Sequence, residues 1–247
     1  MSYADITFKD KNPIKRWLQM SRLATAMRLV TDLPSAATIC DFGAGNGELC
    51  KLIALKYPSA KLICYEPTPS LLLEAKSNLV GCENVQFCSD LSLIPKESVD
   101  VVFSLEVFEH LPFEETRDAI QDIKGLLNEQ GIAILGVPIE IGLPALYKGV
   151  FRMTRRFGDF DAAPKNVLLS FLGMPPQERP IAEITKGFNF HFHHMGFDYR
   201  VLRKKLGKDF KLRKTAGSPF PLFGAFLNPE IYFVVSRATA GINVTPA

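Results

Sequence analysis

The stretch ICDFGAGNGELC, residues 39–50, constrains the fold of this chain more than any other. It sets Gly43, Gly45 and Gly47 at alternate positions, directly behind an apolar run that ends in Asp41. Three glycines in five positions would weaken any ordinary helix or strand, so they mark a turn whose backbone takes positive φ or comes close to a ligand. Upstream, Ala37-Thr38-Ile39-Cys40 reads as a short buried strand. Downstream, Leu49, Leu52, Ile53 and Leu55 recur at helical spacing. The glycines therefore lie on a strand-to-helix turn, the place where α/β proteins bind nucleotides.

The same alternation continues along the chain. Strands read at 37–41, 61–66, 85–88, 99–105 and 131–137, with helices near 47–56, 69–79 and 113–128. Asn12 before Pro13 starts an earlier helix that runs to about Val30, and Thr68 before Pro69 repeats this cap-then-proline signal. Strands and helices alternating at this length imply a mainly parallel sheet covered on both faces. After Pro138 the rhythm breaks. Residues 139–190 hold scattered Pro, Gly, Phe and Arg, a capped helix begins at Asp198, and DFKLRKTAG and EIYFVVSR read as two late strands closing the sheet as a hairpin. A chain of 247 residues, 47% of them hydrophobic, fits one large α/β domain. Its expected parts are a helical cap at 1–35, a core at 36–138, an insertion at 139–190, and a closing helix and strands at 191–247.

Composition narrows the setting. The N-terminal residues carry charges where a signal peptide needs an apolar segment, and the apolar stretches near 131–146 and 216–229 are too short and interrupted to span a bilayer, so a cytoplasmic location is expected. Cys40, Cys50, Cys64, Cys82 and Cys88 form no C-x-x-C pair and read as buried thiols in a reducing compartment. Charge is uneven: residues 1–140 hold 13 Lys and Arg against 19 Asp and Glu, and residues 141–247 hold 16 against 7. The basic second half is either a solvated helix face or a surface that meets something anionic.

The glycine turn departs from a dinucleotide fingerprint, because Glu48 stands where Gly-x-Gly-x-x-Gly needs its third glycine. Asp41, just before the loop, suits a ligand that carries positive charge or hydroxyl and ammonium donors. Three further segments follow in order at the ends of the expected strands: Glu66 with Pro67-Thr68-Pro69, Ser89-Asp90-Leu91, and DVVFSLEVFEHLP at 100–112. In these residues the chain resembles the class I S-adenosylmethionine-dependent methyltransferases, in particular their small-molecule, type 11-like branch. The resemblance covers residues 36–138 and resumes weakly near 190–236. It implies a Rossmann-like, mainly parallel seven-stranded sheet with a C-terminal antiparallel hairpin, and S-adenosylmethionine as the cofactor. By the same resemblance Asp41, Gly43, Gly45 and Gly47 meet the methionine part, Glu66 with Pro67 receives the ribose diol, Asp90 with Leu91 brackets the adenine, and Leu105 closes the cofactor site. A carboxylate with two acceptor oxygens matches a vicinal diol.

Methyl transfer needs alignment, a dry site and, for a hydroxyl acceptor, a base. The candidate bases are His110, just past the fourth strand, and His193, which the resemblance sets before an aromatic, a cap and an amphipathic helix. His110 reads equally as the start of a helix. His191 and His193 would share one face of a strand as metal ligands, but no further ligand falls at a recognisable spacing, so no metal is expected. Residues 139–190 are the expected lid and acceptor pocket. There LPALYKGVFRMTRRF interleaves apolar side chains with Lys148, Arg152, Arg155 and Arg156, as a solvated covering helix does, or as a lid over an anionic or lipid-linked acceptor at a membrane surface does. The leading expectation is a methyltransferase for a small-molecule acceptor, anionic or lipid- or sugar-linked. The alternatives are methylation of RNA or protein, or non-catalytic cofactor binding. Neither clustered base-stacking aromatics nor an appended RNA-binding domain is evident, so no nucleic-acid partner is expected.

Overall fold

The computed structural model describes residues 13–30, 33–185 and 188–238. The Asn12 cap and the charged residues 1–12 lie outside the described residues. In chain order the elements are α1 (Pro13–Arg28), β1 (Thr38–Phe42), α2 (Glu48–Lys56), β2 (Lys61–Tyr65), α3 (Pro69–Asn78), β3 (Val85–Cys88), β4 (Val99–Leu105), α4 (Phe113–Leu126) and β5 (Leu127–Pro138). Beyond Pro138 come α5 (Leu143–Arg156), α6 (Pro164–Phe171), β6 (Ala182–Thr185), β7 (Phe188–Phe190), α7 (Tyr199–Asp209), β8 (Phe210–Ser218), a short α8 (Gly224–Leu227) and β9 (Glu230–Arg237).

Seven strands form one sheet in the order β3-β2-β1-β4-β5-β9-β8. The first five are parallel, β9 runs antiparallel to β5, and β8 runs antiparallel to β9. The Rossmann-like sheet with its antiparallel closing hairpin thus stands as the sequence implies. Strand order reverses between β1 and β4, and open α/β sheets collect ligands at the carboxyl ends of the strands beside such a reversal.

Alternate residues of each strand feed two separate cores, one per face, which is why the strands read as continuous apolar runs. Cys40, Val102, Leu135 and Phe233 face α4 and α7 through Ile120, Ile123, Leu202 and Leu206. Ile39, Val101, Ile134 and Tyr232 face the other way, against Leu23 and Met27 of α1, Ile53 of α2 and Ala75 of α3.

Two boundaries differ from the sequence expectation. Helix α4 ends at Leu126 and β5 begins at Leu127, because Leu127 already pairs with Val99 across an irregularity in the ladder, and Gly131 falls inside the strand. The insertion at 139–190 is not a bare loop: it holds α5, α6 and the antiparallel pair β6–β7. Among the described residues, no helix is long and apolar enough to cross a membrane.

Candidate active site

The turn between β1 and α2 is shaped by its glycines. Gly43, Gly45 and Gly47 take φ of 77°, 54° and 81°. A Cβ on Gly43 would come within 2.6 Å of Val107 Cγ2, so close packing against the β4–α4 turn demands glycine there. A Cβ on Gly45 would meet nothing within 4 Å: at this point the loop presents bare backbone to open space. The loop hangs from β2, with the Gly43 and Ala44 N–H groups both donating to the Tyr65 carbonyl at 2.9 Å. Beneath it the Asp41 carboxylate is buried and accepts from the Cys50 thiol at 3.3 Å. Burial pushes its pKa up to about 7.

Glu66 ties this loop to the next. Its Oε2 accepts from Gly45 N–H at 2.8 Å and its Oε1 from Thr68 N–H at 2.9 Å, which leaves each oxygen a lone pair. Thr68 opens α3 with its backbone donated to Glu66, and its side chain makes no capping bond. Pro67 is partly buried beside it. Asp90 is exposed and caps a single helical turn at Leu91–Leu93 by accepting from Ser92 N–H. Leu91 packs on the core behind it, and Leu105 ends β4 against Gly136. These expected cofactor positions all fall at the carboxyl ends of β1 to β4, along one edge of the sheet.

The turn after β4 is the most electrostatically loaded part of the molecule. Glu106 takes φ 57°, a left-handed conformation uncommon for a residue with a side chain, of the kind that collects at functional sites. Its Oε2 meets Arg22 of α1 at 2.7 Å, and Arg22 also lies 3.8 Å from Glu230. Burial would raise the Glu106 pKa, but the Arg22 guanidinium overcomes it and holds the value down to about 2. Glu109 and Glu230 go the other way: burial, reinforced by the charge of Glu106, pushes both well above the carboxylate range. His110 Nδ1 donates to the His191 carbonyl at 2.7 Å, and His191 N–H donates to the His110 carbonyl at 2.8 Å. Burial depresses the pKa of His110, and that of His194 to about 4, so both are neutral. Arg179 fastens the two segments, donating to the carbonyls of Glu109 at 2.6 Å and Met195 at 3.2 Å.

Beside this turn opens a cavity of about 680 Å³, lined from the strand ends by Glu106, Pro138, Glu140 and Glu230, from α5 by Lys148, Phe151, Arg152, Arg155 and Arg156, and by His194. Glu140 is fully buried. Arg152 grips it with two bonds, at 2.8 and 2.9 Å, and Lys148 with a third at 3.1 Å. Burial opposes its charge, yet these two cations pull its pKa well below the carboxylate range. Arg156 pairs with Asp161 at 2.6 Å, and His193 Nδ1 lies 3.4 Å from the same carboxylate.

The structure therefore separates the candidate bases. His110 stacks on Phe190 and meets His194 edge-on, inside the turn, whereas His193 stands with Asp161 and Phe160. His191 bonds the Pro180 carbonyl at 3.0 Å and shares no partner with His193, so the pair considered for a metal is not assembled. Several site residues carried little sequence signal. Glu140 interrupts an otherwise apolar run, and that interruption is the mark of a buried charge. Arg22, Arg179 and Glu230 have no comparable mark, because each is recruited from a distant element.

In comparison with known proteins, residues 40–135 match the family model for a methyltransferase domain. Over those residues the chain is similar to the S-adenosylmethionine-dependent methyltransferases. The chain is 25% identical over 121 residues to trans-aconitate 2-methyltransferases from Shigella flexneri and from Escherichia coli, an alignment covering 49% of this chain and 46% of each relative. The chain thus spans about half the length of the curated relatives it matches. Two solved structures share the fold: a TehB-like SAM-dependent methyltransferase from Corynebacterium glutamicum, at TM-score 0.52 and 17% identity over 88% of this chain and 86% of that one, and the PH0226 protein from Pyrococcus horikoshii, at TM-score 0.60 and 12% identity over 96% of each.

The residues of the methyltransferase domain fit that cofactor. Gly45 offers bare backbone. The buried Asn46 Nδ2 is a donor with no partner among the described residues, suited to the carboxylate of a methionine moiety. Glu66 keeps acceptor capacity beside Gly45, suited to hydroxyl donors.

Proposed function

We propose that this chain transfers a methyl group from S-adenosylmethionine to an anionic small molecule held in the cavity under α5. The observation that carries this reading is the charge of the lining: Lys148 and Arg152 are matched by Glu140 and Arg156 by Asp161, while Arg155 lines the same cavity as a further cation. Among the described residues Arg155 has no carboxylate partner, and its guanidinium lies 5.6 Å over the Phe151 ring. An arginine left free in a partly apolar cavity is suited to bidentate pairing with a substrate carboxylate or phosphate. The volume suits a metabolite-sized ligand. The relatives named for trans-aconitate, a tricarboxylate, support the same charge class.

Bound S-adenosylmethionine supplies a methyl carbon made electrophilic by its positively charged sulfur. The protein aligns and shields. The glycine loop and Glu66 hold one reactant on the edge of β1 and β2, the α5 cations hold the other at the ends of β4 and β5, and the two meet at the turn of Glu106 to His110. A carboxylate acceptor attacks with a lone pair and needs no base. A hydroxyl acceptor loses a proton as the new bond forms, and an imidazole among His110, His194 and His193 can take it.

The test is an incubation of the full chain with S-adenosylmethionine and a panel of di- and tricarboxylates, each beside its neutral amide, with products read by mass spectrometry. One added methyl group on the carboxylates alone is expected. Equal turnover of the amides, or turnover of neither set by a protein that binds the cofactor, would overturn the anionic acceptor while leaving the fold and the cofactor intact.

A further inference from the structure

We infer that Glu109, His110 and His194 form a binding site for one divalent transition-metal ion at the wall of the acceptor cavity. One ligand atom from each lies within 4.8 Å of the others. The inference deepens the reading of that cavity and rests on it only for what would fill the ion's open positions.

The strongest observation is Glu109. It is 0% exposed, and among the described residues neither of its oxygens has a hydrogen-bond partner. A buried carboxyl is ordinarily satisfied by donors, and leaving both oxygens unmatched is costly. His110 Nε2 stands 3.8 Å from Oε1, beyond hydrogen-bond length.

The tautomer of His110 sharpens the point. Its Nδ1 is committed to the His191 carbonyl, so Nε2 is the ring nitrogen turned toward Glu109, 3.8 Å from Oε1. Donors about 2.1 Å from a shared ion stand at most about 4.2 Å apart, so the 3.8 Å separation fits, and a side-chain rotation of under an ångström brings in the third donor. The bond from Nδ1 to a backbone carbonyl is also the support that metal-bound imidazoles ordinarily have.

His194 completes the set. Among the described residues neither of its ring nitrogens has a hydrogen-bond partner, and its ring meets His110 edge-on at 4.8 Å. It lines the cavity too, so an ion held here would turn its open positions toward the acceptor. Two imidazoles and a carboxylate on one side, with the rest open, is a donor set that first-row divalent metals accept, and an oxygen of the acceptor is the chemistry that would fill the open side. Arg179 makes its hydrogen bonds here to backbone carbonyls and not to the three ligand side chains, while Glu106, on the same turn, adds negative charge.

The full chain, stripped by chelator and dialysed, would be titrated with Co2+ by visible absorption and with Zn2+ by calorimetry, in the absence of cofactor and acceptor. We expect one equivalent bound, Zn2+ displacing Co2+, no thiolate-to-cobalt band, and at least a 100-fold weaker affinity in Glu109→Ala and in His194→Gln, with His193→Ala unchanged. His194→Gln is the more conservative variant, at the cavity wall, and circular dichroism of each variant checks its fold. Failure of the wild-type chain to bind, unchanged affinity in a folded Glu109→Ala or His194→Gln, or a thiolate band reporting the cysteines would overturn the site. Methyl transfer by a chain that binds no metal would overturn it too and leave the proposed function standing. One-to-one metal binding without any methyl transfer would uphold the site and count against that function.

Discussion

Glu66 and Asp41 are two carboxyl groups a few ångströms of chain from the same loop, and their surroundings give them opposite tasks. Glu66 accepts one backbone N–H on each oxygen. In Glu66→Gln the amide must turn its NH2 toward either Gly45 or Thr68, donor against donor, so one of the two loops is released. Cofactor affinity measured by calorimetry should fall about 100-fold while the protein stays folded; an unchanged Kd would remove Glu66 from the binding site. Asp41 is protonated more readily folded than unfolded, its pKa standing at about 7 against 3.8. A raised acid contributes stability in full below the unfolded value, and that contribution is lost as pH climbs toward the folded value. Unfolding free energy from urea titrations should therefore drop by up to about 4 kcal/mol between pH 4 and 7. In Asp41→Asn, whose amide oxygen can still accept from Cys50, this slope should flatten, and a slope identical to wild type would contradict the assignment.

At the scale of elements, the buried Glu140 carboxylate ties α5 to the sheet edge, with Lys148 also donating to the Ile139 and Pro229 carbonyls. Glu140 takes two bonds from Arg152 and one from Lys148. Removing one partner of a buried pair leaves charge without compensation, so Arg152→Met should cost about 3 kcal/mol, read as a lower urea midpoint, with cofactor affinity unaltered because α5 is remote from the glycine loop. Equal stability would mean that Lys148 alone satisfies Glu140. The elements themselves were legible where period and punctuation agreed: the strands β1 to β4, Pro69 opening α3, and Asp198 capping α7 by accepting from Arg200 N–H. The start of β5 was not, since helical spacing reads on to residue 128 and the strand only from 131, whereas tertiary pairing of Leu127 with Val99 starts the strand at Leu127. The pair β6–β7 is too short, four and three residues, for periodicity to announce it. The site divides in the same way. Its cofactor edge follows local turn chemistry and was readable in advance. Its acceptor wall gathers Arg22, Glu140, His194 and Glu230 from four distant elements, and no local pattern announces such a meeting.

At the scale of the whole molecule, the sheet depends on its latest strand. β9 lies between β5 and β8, and Tyr232 and Phe233 are wholly buried on opposite faces of the sheet. Phe233→Ala should cost about 3–5 kcal/mol, the range for deleting a fully buried aromatic, and should lower Tm cooperatively by scanning calorimetry; a loss under 1 kcal/mol would mean that the cavity collapses around the smaller side chain. The same placement orders events during synthesis. A ribosome releases β5 about a hundred residues before β9, so Ile132–Val137 waits with an unpaired edge while α5 to α8 are still being made. A nascent chain of this protein is therefore a client for holding factors until residues 230–237 emerge, and a stop codon just upstream of them would yield not a shortened enzyme but an aggregating one.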